Sequence, residues 1–241
     1  MRLASTPGKA RRRAVAAVLL CLPLLATAPA ATAQDCGNPF VNHFGPFDYR
    51  TASQENKTLV EATHFNRDTE QLKYNSGTGY PGQDISYTLG VFPNHPRALV
   101  AMSRLAIREK TAHPKYARYP INCFFERAIQ FRPDDADVYM IYGAHLMKAG
   151  TPAQAIVQLS KAVEINDASA NAHYNLGLAY VEIKDYDKAL THAQKAYALG
   201  FPLPGLRNML QKVGKWQPPV AATDPGNGTP AATAPGRPAA N

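Results

Sequence analysis

The chain has 241 residues, 9% of them aromatic, and a formal net charge of +8 at pH 7. The roughly 180 residues left without the two chain ends described below suit one elongated domain. Five of the 26 basic side chains, and none of the 18 acidic ones, lie before residue 34, so a chain cut there has a net charge of only +3. Because the remaining sequence has no basic stripe interleaved with aromatic residues, we exclude a nucleic-acid-binding protein.

The first 33 residues have the pattern of a secretory signal peptide. Five basic residues precede an apolar run over 14–25, and Ala31-Thr32-Ala33 supplies the small residues of a cleavage site. The apolar run is shorter than the roughly 20 residues that span a bilayer. Neither Cys21 nor Cys36 follows a small residue, which argues against a lipoprotein. We therefore expect cleavage after Ala33, no stable membrane insertion afterwards, and a secreted or periplasmic protein.

Residues 34–82 show no repeat and are expected to form a divergent N-terminal segment. Four of its polar residues could line a pocket. They are Asp48, Arg50, Glu61 and His64. Such a pocket would favour one hypothesis, an enzyme or small-ligand protein with its site in residues 36–82. If the segment instead packs as a cap against a helix over 84–92, the sequence favours an adaptor.

Residues 136–169 and 170–203 are two copies of one 34-residue unit, laid end to end. Gly143 aligns with Gly177, and Ala155 aligns with Ala189. Small residues at these positions let two helix axes approach closely, while larger apolar residues recur at spacings of three and four. Each copy therefore predicts a pair of antiparallel helices, and one pair needs a neighbour to bury both of its faces.

The same unit extends upstream in altered form. Pro93 and Pro133 occupy matching positions 40 residues apart, which is one period plus about six extra residues. The extra residues fall in 110–120, so we define a unit over 96–135 and half a unit over 84–95. The two helices of the full unit are predicted over 97–109 and 121–131.

Two further segments follow the repeats. Residues 203–213 place leucines and Met209 at helical spacing, which predicts a helix that caps the last apolar face. The repeats with this capping helix span 83–216. Residues 217–241 are rich in Pro, Ala and Gly, which predicts a disordered tail.

The repeat pattern resembles the tetratricopeptide repeat (TPR) family, here as an exported bacterial TPR protein. The resemblance implies an all-α fold, a right-handed α-solenoid of helix pairs that binds a protein or peptide partner and needs no cofactor. In this family the first helix of each unit lines a concave groove. When the family's groove positions are transferred to the matching positions of each unit here, the resemblance implies these groove residues: Arg97, Val100, Arg104, Arg108, Met140, Ile141, Ala144, Lys148, Asn171, Tyr174, Asn175, Leu178 and Glu182.

The predicted groove is basic at one end and apolar at the other. Its basic residues include Arg97, Arg104 and Arg108, and its apolar residues are Met140, Ile141, Tyr174 and Leu178. A ligand with an acidic end and an apolar stretch would fit. The family also has a two-carboxylate clamp, of which Asn175 matches one asparagine. We do not predict the clamp, because Met140 and Ala144 replace its lysine and asparagine.

Two cysteines remain after cleavage, Cys36 and Cys123, in a chain expected to reach an oxidising compartment. We predict a disulfide; the alternative is a buried Cys123 and a free Cys36. The sequence contains no His-Glu-x-x-His, no Gly-x-Ser-x-Gly and no phosphate-binding loop, so we predict no metal site and no catalytic residues. The main hypothesis is a non-enzymatic exported adaptor or scaffold that binds its partner in the cell envelope.

Overall fold

The computed structural model describes Met1, residues 35–74 and residues 79–218, and within these ranges every regular element is an α-helix. Residues 2–33 of the predicted signal peptide and 219–241 of the predicted tail lie outside the described residues. The helices are α1 (Gln54–His64), α2 (Arg67–Glu70), α3 (Pro81–Val91), α4 (Pro96–Glu109), α5 (Ile121–Phe131), α6 (Ala136–Lys148), α7 (Pro152–Ile165), α8 (Ala170–Glu182), α9 (Tyr186–Ala198) and α10 (Gly205–Lys212). The predicted all-α fold, an α-solenoid of helix pairs, is confirmed.

The two regular repeats form the helix pairs α6–α7 and α8–α9. Asp135 begins α6 by accepting a hydrogen bond from the Asp137 amide, and Asp185 begins α9 in the same way through the Lys188 amide. A Cβ atom on Gly143 would lie 2.4 Å from Cγ of Leu159. Glycine at 143 is therefore what allows α6 and α7 to pack this closely.

The last pair is completed by the C-terminal helix. The residue 34 places after Leu159 is Ala193, which is too small to fill the space beside Gly177. Leu206 of α10 fills it instead, since a Cβ atom on Gly177 would lie 2.5 Å from its Cδ2. Leu206 and Leu210 are both fully buried, so α10 caps the apolar end of the stack.

The upstream pair α4–α5 is separated by the predicted insert, 110–120. The insert crosses the start of α3 so closely that a Cβ atom on Gly82 would lie 2.2 Å from the carbonyl oxygen of Lys115. Large side chains of α3, α4 and α5 form the main core beneath it, including the fully buried Ile85, Met102 and Phe125.

The N-terminal segment packs against the start of the solenoid. Val60 of α1 packs with Val91 and Phe92 at the end of α3, and Phe44 and Phe47 cover this cluster. A disulfide joins Cys36 to Cys123 of α5, with 5.1 Å between the two Cα atoms. The segment thus caps α3, which is the arrangement that the sequence associated with an adaptor.

Candidate partner-binding groove

Three adjoining cavities run along one face of α4, α6 and α8, and together we call them the groove. Their volumes are about 350, 160 and 290 Å³. Arg104 lines all three, and Lys148 lines the second and third. Ten residues predicted from the repeat places line the groove. They are Arg97, Val100, Arg104, Arg108, Met140, Ile141, Ala144, Lys148, Asn171 and Asn175.

Three other predicted residues line none of these cavities. Tyr174 stacks on Phe201 with 3.8 Å between ring centroids, and burial raises its pKa. Leu178 packs in the apolar cluster around α10, and Glu182 is exposed at the end of α8. The chain that returns from α9 therefore covers the part of α8 where the sequence placed the apolar end of the groove.

Helical spacing brings the groove residues to one side. Val100, Arg104 and Arg108 lie four apart on α4, and Met140, Ala144 and Lys148 lie four apart on α6, so each set forms a row along its helix. Ile141 is buried and Met140 is half-buried between the rows. The result is an apolar floor with basic side chains along its edges.

Arg97, at one end of the groove, is already paired. Its Nε donates a hydrogen bond of 2.8 Å to Glu70 of α2, and its Nη1 lies 3.8 Å from Glu61 of α1. The hydrogen bond from Arg97 is the main cause that lowers the pKa of Glu70. Arg97 therefore carries little free charge for a ligand.

Arg104 and Lys148 are the available cations of the groove. Both are exposed, and neither forms a hydrogen bond or ion pair with any residue in the described part of the chain. Arg108 lies beside them and donates a hydrogen bond of 2.9 Å to the carbonyl oxygen of Leu72. The positive charge is thus concentrated where the second and third cavities meet.

His145 forms part of the groove wall. Its Nδ1 lies 2.9 Å from the hydroxyl of Ser103, and its side chain also lines a cavity of about 510 Å³ next to the insert. Burial, and secondarily the charge of Lys148, lower the pKa of His145. The neutral imidazole adds no charge to the groove near neutral pH.

Sequence reasoning missed the contribution of the N-terminal segment to the groove. Glu70 neutralises Arg97, while Gln71 and Leu72 line the third cavity. These residues precede the repeats and have no periodic place in them. No local sequence signal identifies them, because their position depends on contacts between α2, α3 and α4.

The four polar residues of the alternative site belong to separate contact clusters. Asp48 is buried and accepts hydrogen bonds from Arg50 at 2.8 Å and Asn94 at 2.7 Å. Asn94 also donates to Asp135 and accepts a hydrogen bond from the backbone amide of Tyr49. Burial alone would raise the pKa of Asp48, but the hydrogen bonds outweigh it and hold that pKa well below its usual value. These residues tie the N-terminal segment to the repeats.

Glu61 belongs to a second structural cluster around His95. The ring of His95 stacks on Tyr49 at 3.9 Å, and its Nδ1 accepts a hydrogen bond from the Ala98 amide at the start of α4. Tyr49 donates a hydrogen bond of 2.8 Å to Glu61. Burial lowers the pKa of His95 to about 3 and raises that of Tyr49 to about 12. His64 lines a cavity that is separate from the groove.

A pair of histidines joins α8 to α9. Nδ1 of His173 lies 3.0 Å from Nδ1 of His192, and Nε2 of His173 lies 3.1 Å from the carbonyl oxygen of Asp167. Because a carbonyl can only accept, Nε2 of His173 carries a proton, and whenever Nδ1 of His173 carries none it accepts a hydrogen bond from His192. Burial is the main cause that lowers the pKa of His192 to about 4.

Within residues 35–74 and 79–218, one set of three potential metal ligands lies close together: Cys36, Cys123 and Glu126. The two sulfur atoms are bonded to each other, so this set is the disulfide and a neighbouring carboxylate. No helix in these ranges is long and apolar enough to cross a membrane.

The stacked helix pairs with a lined groove define a repeat protein of the α-solenoid class. Residues 143–184 match the family model described as TPR repeat, and residues 170–200 match the model described as tetratricopeptide repeat. Residues 143–200 therefore carry tetratricopeptide repeats, and repeats of this kind serve as protein-interaction scaffolds.

The chain spans only a small part of the length of the curated relatives that it matches. The chain is 29% identical over 110 residues to the human Protein O-mannosyl-transferase TMTC3, covering 46% of this chain and 11% of that protein. It is 28% identical over 148 residues to the peroxisomal targeting signal receptor of Candida albicans, covering 58% of this chain and 22% of that protein.

Two solved structures show low similarity to the chain. One is a crystal structure of MamA, with 20% identity, a TM-score of 0.42, and coverage of 68% of this chain and 82% of that one. The other is a thermophilic TPR protein from Thermus thermophilus, with 20% identity, a TM-score of 0.42, and coverage of 56% and 74%.

Proposed function

We propose that this protein is an exported, non-enzymatic adaptor that holds a protein partner in the cell envelope. The partner segment combines acidic and apolar side chains and lies in the groove. The observation that carries this proposal is the pair of unpaired cations, Arg104 and Lys148, above an apolar floor of Met140 and Ile141. Opposite charge speeds association and selects the partner, while the apolar contacts slow dissociation.

The N-terminal features support the export part of the proposal. Residues 1–33 have the pattern of a signal peptide, and a disulfide between Cys36 and Cys123 suits an oxidising compartment. Intact-mass measurement of protein recovered from the envelope or the medium tests this part. A mature chain that starts at Gln34 is expected, and a cytosolic protein that retains residues 1–33 would contradict it.

The groove is tested with a random peptide library selected on the immobilised protein. Peptides with acidic residues next to large apolar ones should be enriched, and their affinity should fall as salt is raised. Arg104→Ala combined with Lys148→Ala should weaken binding at least about tenfold. Met140→Ala should reduce the free energy of binding by about 2 kcal/mol if Met140 anchors the peptide.

The control for charge is Lys212→Ala. Lys212 is exposed on α10, away from the groove, and its loss lowers the net charge without touching the binding surface. Circular dichroism confirms that each variant remains helical. Selected peptides without acidic residues, or equal binding by the Arg104 and Lys148 variant and the control, would place the working surface elsewhere.

A further inference from the structure

A second cavity, separate from the groove, lies in the N-terminal segment. Its volume is about 280 Å³, and it is formed by the loop before α1 together with α1 and α3. Its walls include the apolar Phe44, Leu59 and Val60 and two imidazoles, His43 and His64. Neither the repeat fold nor the proposed partner-binding function uses this cavity.

A buried carboxylate orients His64. Nδ1 of His64 lies 3.0 Å from Oδ1 of Asp84, whose side chain is fully buried, and the imidazole packs against the ring of Tyr87. A neutral imidazole that donates its Nδ1 proton to a carboxylate keeps a lone pair on Nε2. Carboxylate–histidine pairs of this kind fix the ring orientation of metal ligands and raise their basicity.

His43 brings a second imidazole to the same cavity. Its side chain is exposed, so an ion can reach it from solvent. Across the described ranges, neither ring nitrogen of His43 forms a hydrogen bond, and the same holds for Nε2 of His64. The cavity therefore has nitrogen donors from two different elements that are free to bind a ligand.

We propose that this cavity binds a divalent transition-metal ion such as Zn²⁺ through Nε2 of His64 and a ring nitrogen of His43. Imidazole nitrogens suit Zn²⁺ and its neighbours, and water completes the coordination because the His43 side is open. The negative charge of Asp84 stabilises a cation on the far side of the His64 ring. Asp84 is a positioning residue, since it acts through His64.

Calorimetric titration with ZnCl₂ tests the site, with the full chain purified without a histidine tag. One ion should bind per chain, and both His64→Gln and His43→Ala should weaken binding at least about tenfold. The glutamine amide can still donate a hydrogen bond to Asp84 but offers no ligand nitrogen. Leu59→Ala is the matched control, because it alters the same cavity without removing a donor and should leave the affinity within about twofold.

X-ray absorption of the zinc complex should show two imidazole nitrogens at about 2.0–2.1 Å from the metal. Asp84→Asn should lower the affinity by about 10–100-fold, as for other residues that orient ligands. Thermal melting identifies variants that remain folded. Failure of the wild-type chain to bind zinc at millimolar concentration, a spectrum without imidazole ligands, or equal affinity in the two histidine variants and the wild type would overturn the proposal.

Discussion

Residues 136–203 are held together mainly by apolar contacts at repeated positions, whereas residues 35–74 and 79–135 combine an apolar core with buried polar networks and a disulfide. In the repeats, small residues such as Gly143 and Ala155 let helices approach, and leucine fills the space between them. In the N-terminal region, Asp48 and Asn94 connect segments far apart in sequence. Periodic packing tolerates sequence change as long as volume is kept, while the polar network depends on each partner.

We expect the largest effect from reduction of the disulfide in the N-terminal region. The two cysteines are 87 residues apart, and loop-closure entropy predicts that reduction lowers the free energy of unfolding by about 4–5 kcal/mol. Hydrogen exchange should show loss of protection in α1, α3 and α5, with α6–α9 much less affected. Cys36→Ala is the control, because its stability should not respond to reductant. Equal loss of protection in both regions would show that the disulfide does not stabilise the N-terminal region in particular.

The next effect concerns the buried amide that links the polar network. Asn94→Ala removes the donor to Asp48 and Asp135 and the acceptor of the Tyr49 amide, and it should destabilise the protein by about 3 kcal/mol. Urea unfolding measures this loss. Asn171→Ala, at an exposed asparagine of α8, should change stability by less than about 0.5 kcal/mol. Similar values for the two variants would contradict the role of the network.

A pair of glycine substitutions contrasts helix packing in the two regions. Gly143→Ala should destabilise by about 2 kcal/mol, because the new methyl group overlaps Leu159. Gly90→Ala in α3 has ordinary contacts of 3.5 Å, so the better helix propensity of alanine should stabilise by up to about 1 kcal/mol. Urea unfolding measures both changes. The Gly143→Ala penalty should shrink in a Leu159→Ala background, and an unchanged penalty would rule out this overlap as its cause.

A further effect is a pH dependence of the last helix pair. The pKa of His192 is lowered from its usual value near 6.5 to about 4, so the folded state holds the neutral form. The contribution of His192 to the free energy of unfolding is fully present above about pH 6.5. It is lost as pH falls towards 4, because His192 is protonated in the unfolded chain before it is protonated in the folded one. Melting temperatures between pH 7.5 and 4.5 should fall less steeply for His192→Gln, which can still donate to His173. Equal slopes would show that other groups control this range.

The regular repeats could be predicted from sequence because their determinants are local. The period places α6 to α9 through small residues and helix-starting residues that recur every 34 positions. The groove residues on α4 and α6 follow from the same period. The pairing of Cys36 with Cys123 could be expected from the cysteine count after cleavage.

The positions that sequence reasoning did not place depend on long-range contacts. Tyr174 lies on the helix face expected for the groove, but Phe201, 27 residues later, returns to cover it. Glu70 neutralises Arg97 through a contact across 27 residues, and Asn94 reaches Asp48 across 46. Helical periodicity describes neighbours three and four residues apart and contains no information on such pairs.

Leu206 of α10 packs beside Gly177 because residue 193 is an alanine. Where this position is leucine, as at 159, its side chain fills the space beside the glycine of the same helix pair. Where it is alanine, as at 193, that space is left for a side chain of the next helix. Alanine at position 193 therefore marks the repeat that ends the array. We expect Ala193→Leu to displace Leu206 and weaken the packing of α10. A longer array would need additional repeats with leucine at this position, inserted before the repeat that carries Ala193.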